Sequence, residues 1–168
     1  MSHFKPLTDY LLASAGAHNS INSLDGGHQF DFDEEGEHLD AHFFLEYNPT
    51  ARLNARLPTY QLAFVVAVRM DQADPKESTR TITIDGTDYD MNEREILDLT
   101  ETIYEDYLQM ITQEQNGITL DSFSAISLAG FADSVYAGWR VEFTLVLHRG
   151  VDRCPVPDQF GVLPSSGI

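Results

Sequence analysis

Six histidines, His3, His18, His28, His38, His42 and His148, are the side chains best suited to hold a metal or move a proton. His38-Leu39-Asp40-Ala41-His42 sets two imidazoles four residues apart with a carboxylate between them. On a helix that spacing brings both rings to one ion, as in the metalloprotease motif, where a glutamate follows the first histidine. Here leucine stands at that position, and Ala41 to Tyr47 alternates like a strand. On a strand, side chains four residues apart share a face but stand roughly 13 Å apart, too far for one ion. A polar turn entering a strand is the preferred reading. A metal-dependent hydrolase built on His38, Asp40 and His42 stays as an alternative.

The other reactive groups have less around them. Asp31, Asp33, Glu34, Glu35 and Glu37 resemble a calcium loop in composition, but Gly36 falls at the wrong offset. A solvated acidic turn is expected there. The single cysteine, Cys154, sits between Arg153 and Pro155. An adjacent cation lowers a thiol pKa only where the side chains meet, and neighbours on an extended chain point apart. Cys154 therefore reads as a small apolar plug in a contact. No phosphate-cradling loop, dinucleotide fingerprint or nucleophile elbow is present in the sequence. The residues thus point away from catalysis, and neither a cofactor nor a catalytic set is expected.

The elements that must position these residues follow from composition and periodicity. With 168 residues and 42% hydrophobic content the chain is expected to form one domain with a sizeable core. No apolar run reaches the roughly 18–20 residues of a membrane span, and the first residues lack a signal-peptide layout. One cysteine excludes an internal disulfide framework and suits a reducing cytoplasm. Ten Lys and Arg against 27 Asp and Glu leave a formal charge of −17. Such a surface does not grip nucleic acid through phosphates, which needs clustered cations. It either serves solubility or lines a passage through which DNA slides without sticking.

Phe4 to Ala15 is predicted to be a short helix ended by Gly16, with Leu7, Tyr10 and Leu11 on one face. Ala17 to Gly27 reads as a loop of turn formers with two apolar anchors, and Gln29–Phe32 and Ala41–Tyr47 as strands. Thr59 to Met70 is apolar on both alternating sets, which predicts a central strand covered on both faces. Thr81 to Tyr89 is expected to be a hairpin around Asp85-Gly86, outside the main sheet. Asn92 with Glu95 opens the longest helix, which Asn116-Gly117 is expected to end. Strands over Ile118–Leu128 and Gly138–His148 complete the order. Consecutive strands favour an α+β fold: an antiparallel sheet with both helices packed on it.

Arg140, Glu142, Thr144 and His148 make one side of the final strand polar, while Trp139, Val141, Phe143, Leu145 and Leu147 make the other apolar. Trp139 is read as core in preference to interface. After this strand, two prolines bracketing Val156 cannot continue a ladder, so an extended C-terminal arm is expected. The division is an N-terminal helix and arm over 1–28, a core over 29–150 and a C-terminal arm over 151–168. Candidate partner contacts on the arms are His18, Ile21, Leu24, Arg153, Cys154, Val156 and Phe160.

The run His18 to Gly27, then Tyr60 to Val66, Glu93 to Leu97, and Gly138-Trp139 leading to Asp152–Pro157 share their order and spacing with one family. Over roughly Phe4 to Pro157 the chain resembles small virion structural proteins of tailed bacteriophages of Bacteroidetes, crAss-like phages included. The resemblance implies a neck component, a head–tail connector or tail-terminator-like protein. Such a protein assembles as a homo-oligomeric ring between portal and tail, in the host cytoplasm, with DNA passing through. It implies no catalytic, cofactor or metal residues and no membrane. Asp74 to Asp90 is longer than the family's connection there, and the tail after Pro157 has no counterpart. A small phage or bacterial adaptor that forms no ring is the alternative within the same class.

Overall fold

The two-sided apolar stretch of the middle of the chain becomes the middle of the sheet. A computed structural model describes residues 3–28, 41–52, 57–70, 79–84, 86–113, 116–128 and 136–148. The elements run α1 (Phe4–Gly16), β1 (Ser23–Gly27), β2 (His42–Arg52), β3 (Thr59–Arg69), β4 (Thr79–Ile84), β5 (Thr87–Asn92), α2 (Glu93–Ile111), β6 (Ile118–Ser127) and β7 (Tyr136–Leu147). Five strands form one sheet in the order β1-β2-β3-β7-β6, and β4-β5 form a separate two-stranded sheet. This is the α+β architecture expected, with β3 at the centre and the hairpin apart from it.

Alternation along β3 distributes its side chains between two apolar clusters. Tyr60, Leu62, Phe64, Val66 and Val68 join the helices in the larger one. Val65 and Ala67 join Phe44, Leu128 and Tyr136 in the smaller one on the opposite face. Aromatic rings tie the larger cluster together: Phe64 lies 5.0 Å from Phe43, 5.1 Å from Tyr107 and 5.3 Å from Phe143. At those separations each ring pair adds about 0.5–1.5 kcal/mol to its area burial.

Both helices pack on that face through apolar stripes. α2 begins as its sequence predicts: Asn92 Oδ1 accepts the Glu95 N–H at 3.0 Å, and Asn92 Nδ2 donates to Glu95 Oε1. Its C-terminal end lies at Ile111, not at Asn116-Gly117. The last carbonyls of a helix have no partner within it. Here Asn116 Nδ2 takes the Met110 carbonyl and the Tyr10 hydroxyl takes that of Ile111. Asn116 also donates to the Tyr10 hydroxyl at 2.7 Å, and Tyr107 donates to the Leu11 carbonyl at 2.9 Å. The residues read as a helix stop thus lock α1 onto α2.

Two further expectations change. Ser23–Gly27, read as loop, is a strand, and it pairs parallel to β2, so the sheet is not wholly antiparallel. Glycine and aspartate disfavour a strand locally, but pairing with the buried start of β2 outweighs that preference. The Gly26 hydrogen faces the Tyr47 ring so closely that a Cβ would overlap it. The second change concerns the described residues after α1: Ile21, read as an anchor on an arm, joins Leu7, Tyr10, Leu11 and Ala15 of α1 in the core. The predicted strand Gln29–Phe32 and the C-terminal arm lie outside the described residues.

Candidate functional site

Three of the histidines, His42, His18 and His148, sit in different environments, and no metal site assembles among the described residues. His42 lies on β2, buried, with Nδ1 2.7 Å from the Ser23 hydroxyl of the neighbouring strand. That contact ties β1 to β2. His38 and Asp40 lie outside the described residues. His18 is buried after α1, where its Nδ1 accepts the Ser20 N–H at 3.0 Å. Burial lowers its pKa from 6.5 to about 3, so the ring is neutral.

His148 is exposed just past β7, with Nε2 2.7 Å from Thr119 Oγ1. The pair borders an open cleft with Thr112, Gly117, Ile118 and Leu120. A hydroxyl beside an imidazole is the start of a nucleophilic site, which then needs a third group to orient the base. Among the described residues no carboxylate bonds to His148, and the cleft is open to water. The pair holds the β6–β7 end of the sheet together.

On the face away from the helices, Glu46 is buried and receives Arg140 through two bonds of 2.8 Å, from Nε and Nη2. Arg140 Nη1 donates to Glu142 at 2.6 Å. The hydrogen bond to Glu46, outweighing the cost of burial, raises the guanidinium pKa above its already high ordinary value. This fork joins β2 to β7 across β3 and gives a buried carboxylate two charge-assisted hydrogen bonds. Its geometry is complete without a ligand.

The remaining anomaly is the two edges of the sheet. Among the described residues, neither β1 nor β6 has a second strand beside it. β6 is exposed from Asp121 to Ser124 and again at Ile126 and Ser127, with Phe123 at 47% and Ile126 at 62%. A register irregularity between Leu120 and Ser122 leaves Ser122–Ser127 as a regular stretch without a charge. Natural edge strands are usually guarded by lysines, prolines or inward charges, because their free backbone groups recruit other strands. β6 has the bulge and the charge of Asp121 within it, and neither a lysine nor a proline. At the other edge, β1 exposes Leu24 at 39%.

Of the contact residues expected from sequence, His18 and Ile21 are buried, while Leu24 lies on β1 and is 39% exposed. Arg153, Cys154, Val156 and Phe160 lie outside the described residues. Trp139 packs on the core, donating its indole N–H to the Leu97 carbonyl at 2.9 Å with its ring 6.0 Å from Tyr104. Phe123 and Ile126 were missed, though a signal exists. Three residues apart on a strand, they point to opposite faces and cannot both enter one core. Among the described residues no helix is long and apolar enough to cross a membrane. The sequence matches no protein-family model and no curated protein.

Proposed function

We propose that this chain is a non-enzymatic structural protein that assembles side by side with copies of itself into a ring. The observation that carries this reading is the exposed, uncharged stretch Ser122–Ser127 of β6, with Phe123 47% and Ile126 62% exposed on a protein of formal charge −17. Strong like charge opposes association of copies, so contact is favoured where charge is missing. Ser122–Ser127 is such a stretch, and among the described residues no strand pairs with its outer edge.

The setting we propose is the neck of a tailed-phage virion, as a head–tail connector or tail terminator beside the portal or an adjacent tail layer. Support for that setting is the resemblance carried by His18–Gly27, Tyr60–Val66, Glu93–Leu97 and Gly138–Pro157. The acidic surface suits it, because a lumen lined with carboxylates lets DNA pass without ion pairing to phosphates. Negative-stain microscopy of the purified protein, alone and with a portal assembly, tests the reading. Closed rings of fixed stoichiometry support it. A monomer under both conditions, together with absence from purified virions by mass spectrometry, overturns it.

A further inference from the structure

We infer that neighbouring copies join head to tail, with β6 of one copy pairing antiparallel to β1 of the next and extending a single sheet through the assembly. The inference rests on the self-assembly reading above and adds its contact. Strand direction is the first argument. β1 is parallel to β2, and β2, β3, β7 and β6 alternate, so β6 and β1 run in opposite directions. Placing two copies side by side in the same orientation therefore sets β6 antiparallel to the next β1, the more stable pairing.

Length and face fix the register. β1 has five residues, and the regular part of β6 beyond its bulge, Ser122–Ser127, offers six. Directly opposed residues must share a face of the joined sheet. Phe123 and Ala125 lie on the helix-bearing face, since they oppose core residues Phe143 and Val141 of β7. Leu24 lies on that face too, opposite Phe43. The pairing that uses all of β1 sets Ser23 against Ile126, Leu24 against Ala125, Asp25 against Ser124, Gly26 against Phe123 and Gly27 against Ser122. Phe123 then lies beside Gly26, whose face on that side carries the Tyr47 ring, and diagonal to Leu24 of the next copy, so Phe123 and Leu24 lose exposure together. Asp25 is the only charge in the contact.

A two-fold pairing of β6 with itself is also antiparallel, but it leaves the β1 edge and Leu24 open and stops at a dimer. The head-to-tail contact uses both edges and propagates until the rotation between copies closes a ring.

Cysteine cross-linking separates these arrangements. In a Cys154→Ser background, Asp25→Cys and Ser124→Cys are made separately with different affinity tags, checked for native circular dichroism, mixed, and treated with a short thiol cross-linker. The inference expects cross-links between the two variants, none from either alone, and a ladder from the double variant. Cross-linking of Ser124→Cys with itself overturns it in favour of the two-fold dimer. Oligomers by mass photometry without any cross-link overturn the contact and leave the assembly reading standing. A monomer at the highest soluble concentration, without cross-links, overturns both. As a second variant, Ser122→Glu puts a carboxylate diagonal to Asp25 of the next copy, on a protein already charged −17, and is expected to weaken assembly without changing the melting temperature.

Discussion

β3 and β6 are strands of nearly equal length in one sheet, and they differ in what surrounds them. β3 has a neighbour on each side and is buried from Leu62 to Val68, with its alternating residues split between two apolar clusters. β6 has β7 on one side and solvent along most of its length. Their sequences reflect this. β3 is apolar on both alternating sets, whereas β6 interleaves serines with Leu120, Phe123 and Ile126. The contrast separates the strand on which folding depends from the strand on which the proposed association would depend. The centre is over-determined by packing, whereas at the edge Phe123 makes one edge contact with Tyr104 and Ile126 is 62% exposed.

If that is right, perturbations near β3 unfold the protein and perturbations on β6 do not. The largest expected effect is Gly138→Ala. Gly138 sits opposite Ala67 with φ +156°, and a Cβ there would overlap the Val66 carbonyl and the Ala67 backbone. Neither neighbour is a flexible side-chain tip, so a loss of about 3 kcal/mol or more is expected in denaturant unfolding. A loss under 1 kcal/mol would show that the centre is looser than its burial implies.

Arg140→Ala comes next. It strands the Glu46 carboxylate, which is only 3% exposed, and is expected to cost about 3 kcal/mol. Replacing both partners with apolar residues of similar volume is expected to cost less than the single change, because no buried charge remains. Chemical denaturation of the three proteins checks the order.

The third effect depends on pH. His18 is neutral in the fold, with its pKa lowered to about 3 by burial, and titrates near 6.5 when unfolded. The unfolded state therefore binds the extra proton first as pH falls. Stability from this group is complete above 6.5 and declines by about 1.4 kcal/mol per pH unit from there toward 3. Between 6.5 and the onset of carboxylate protonation, unfolding free energy measured against pH is expected to show this slope. It should flatten in His18→Gln even if that variant is less stable throughout.

Smaller still is Asn92→Ala, which removes the N-cap of α2 and is expected to cost about 1 kcal/mol. Thermal melting is sufficient to see it.

How much of this could be read from the chain alone depends on whether a feature is local. β3, β7, the hairpin and the start of α2 were legible because period-two alternation, Asp85-Gly86 and Asn92 with Glu95 are short-range signals. Ser23–Gly27 was not, since its strand state comes from pairing with β2 and its own residues prefer turns. The end of α2 was displaced because Asn116 acts through Tyr10, over a hundred residues earlier in the chain. His18 and Ile21 looked like arm residues because burial after a helix depends on where the next strand runs. The edge position of β6 is a property of sheet order, which no stretch of ten residues encodes. Only the odd spacing of Phe123 and Ile126 hinted at it.

The smallest expected change in stability is also the most informative about assembly. Replacing Phe123 and Ile126 together by serine removes two side chains that are 47% and 62% exposed, so unfolding free energy is expected to shift by only about 1 kcal/mol or less. Mass photometry of the unsubstituted protein and this double variant, both with native circular dichroism, tests the central claim directly. A closed multimer of fixed mass is expected for the first and a folded monomer for the second. Equal oligomeric states for the two proteins would contradict it.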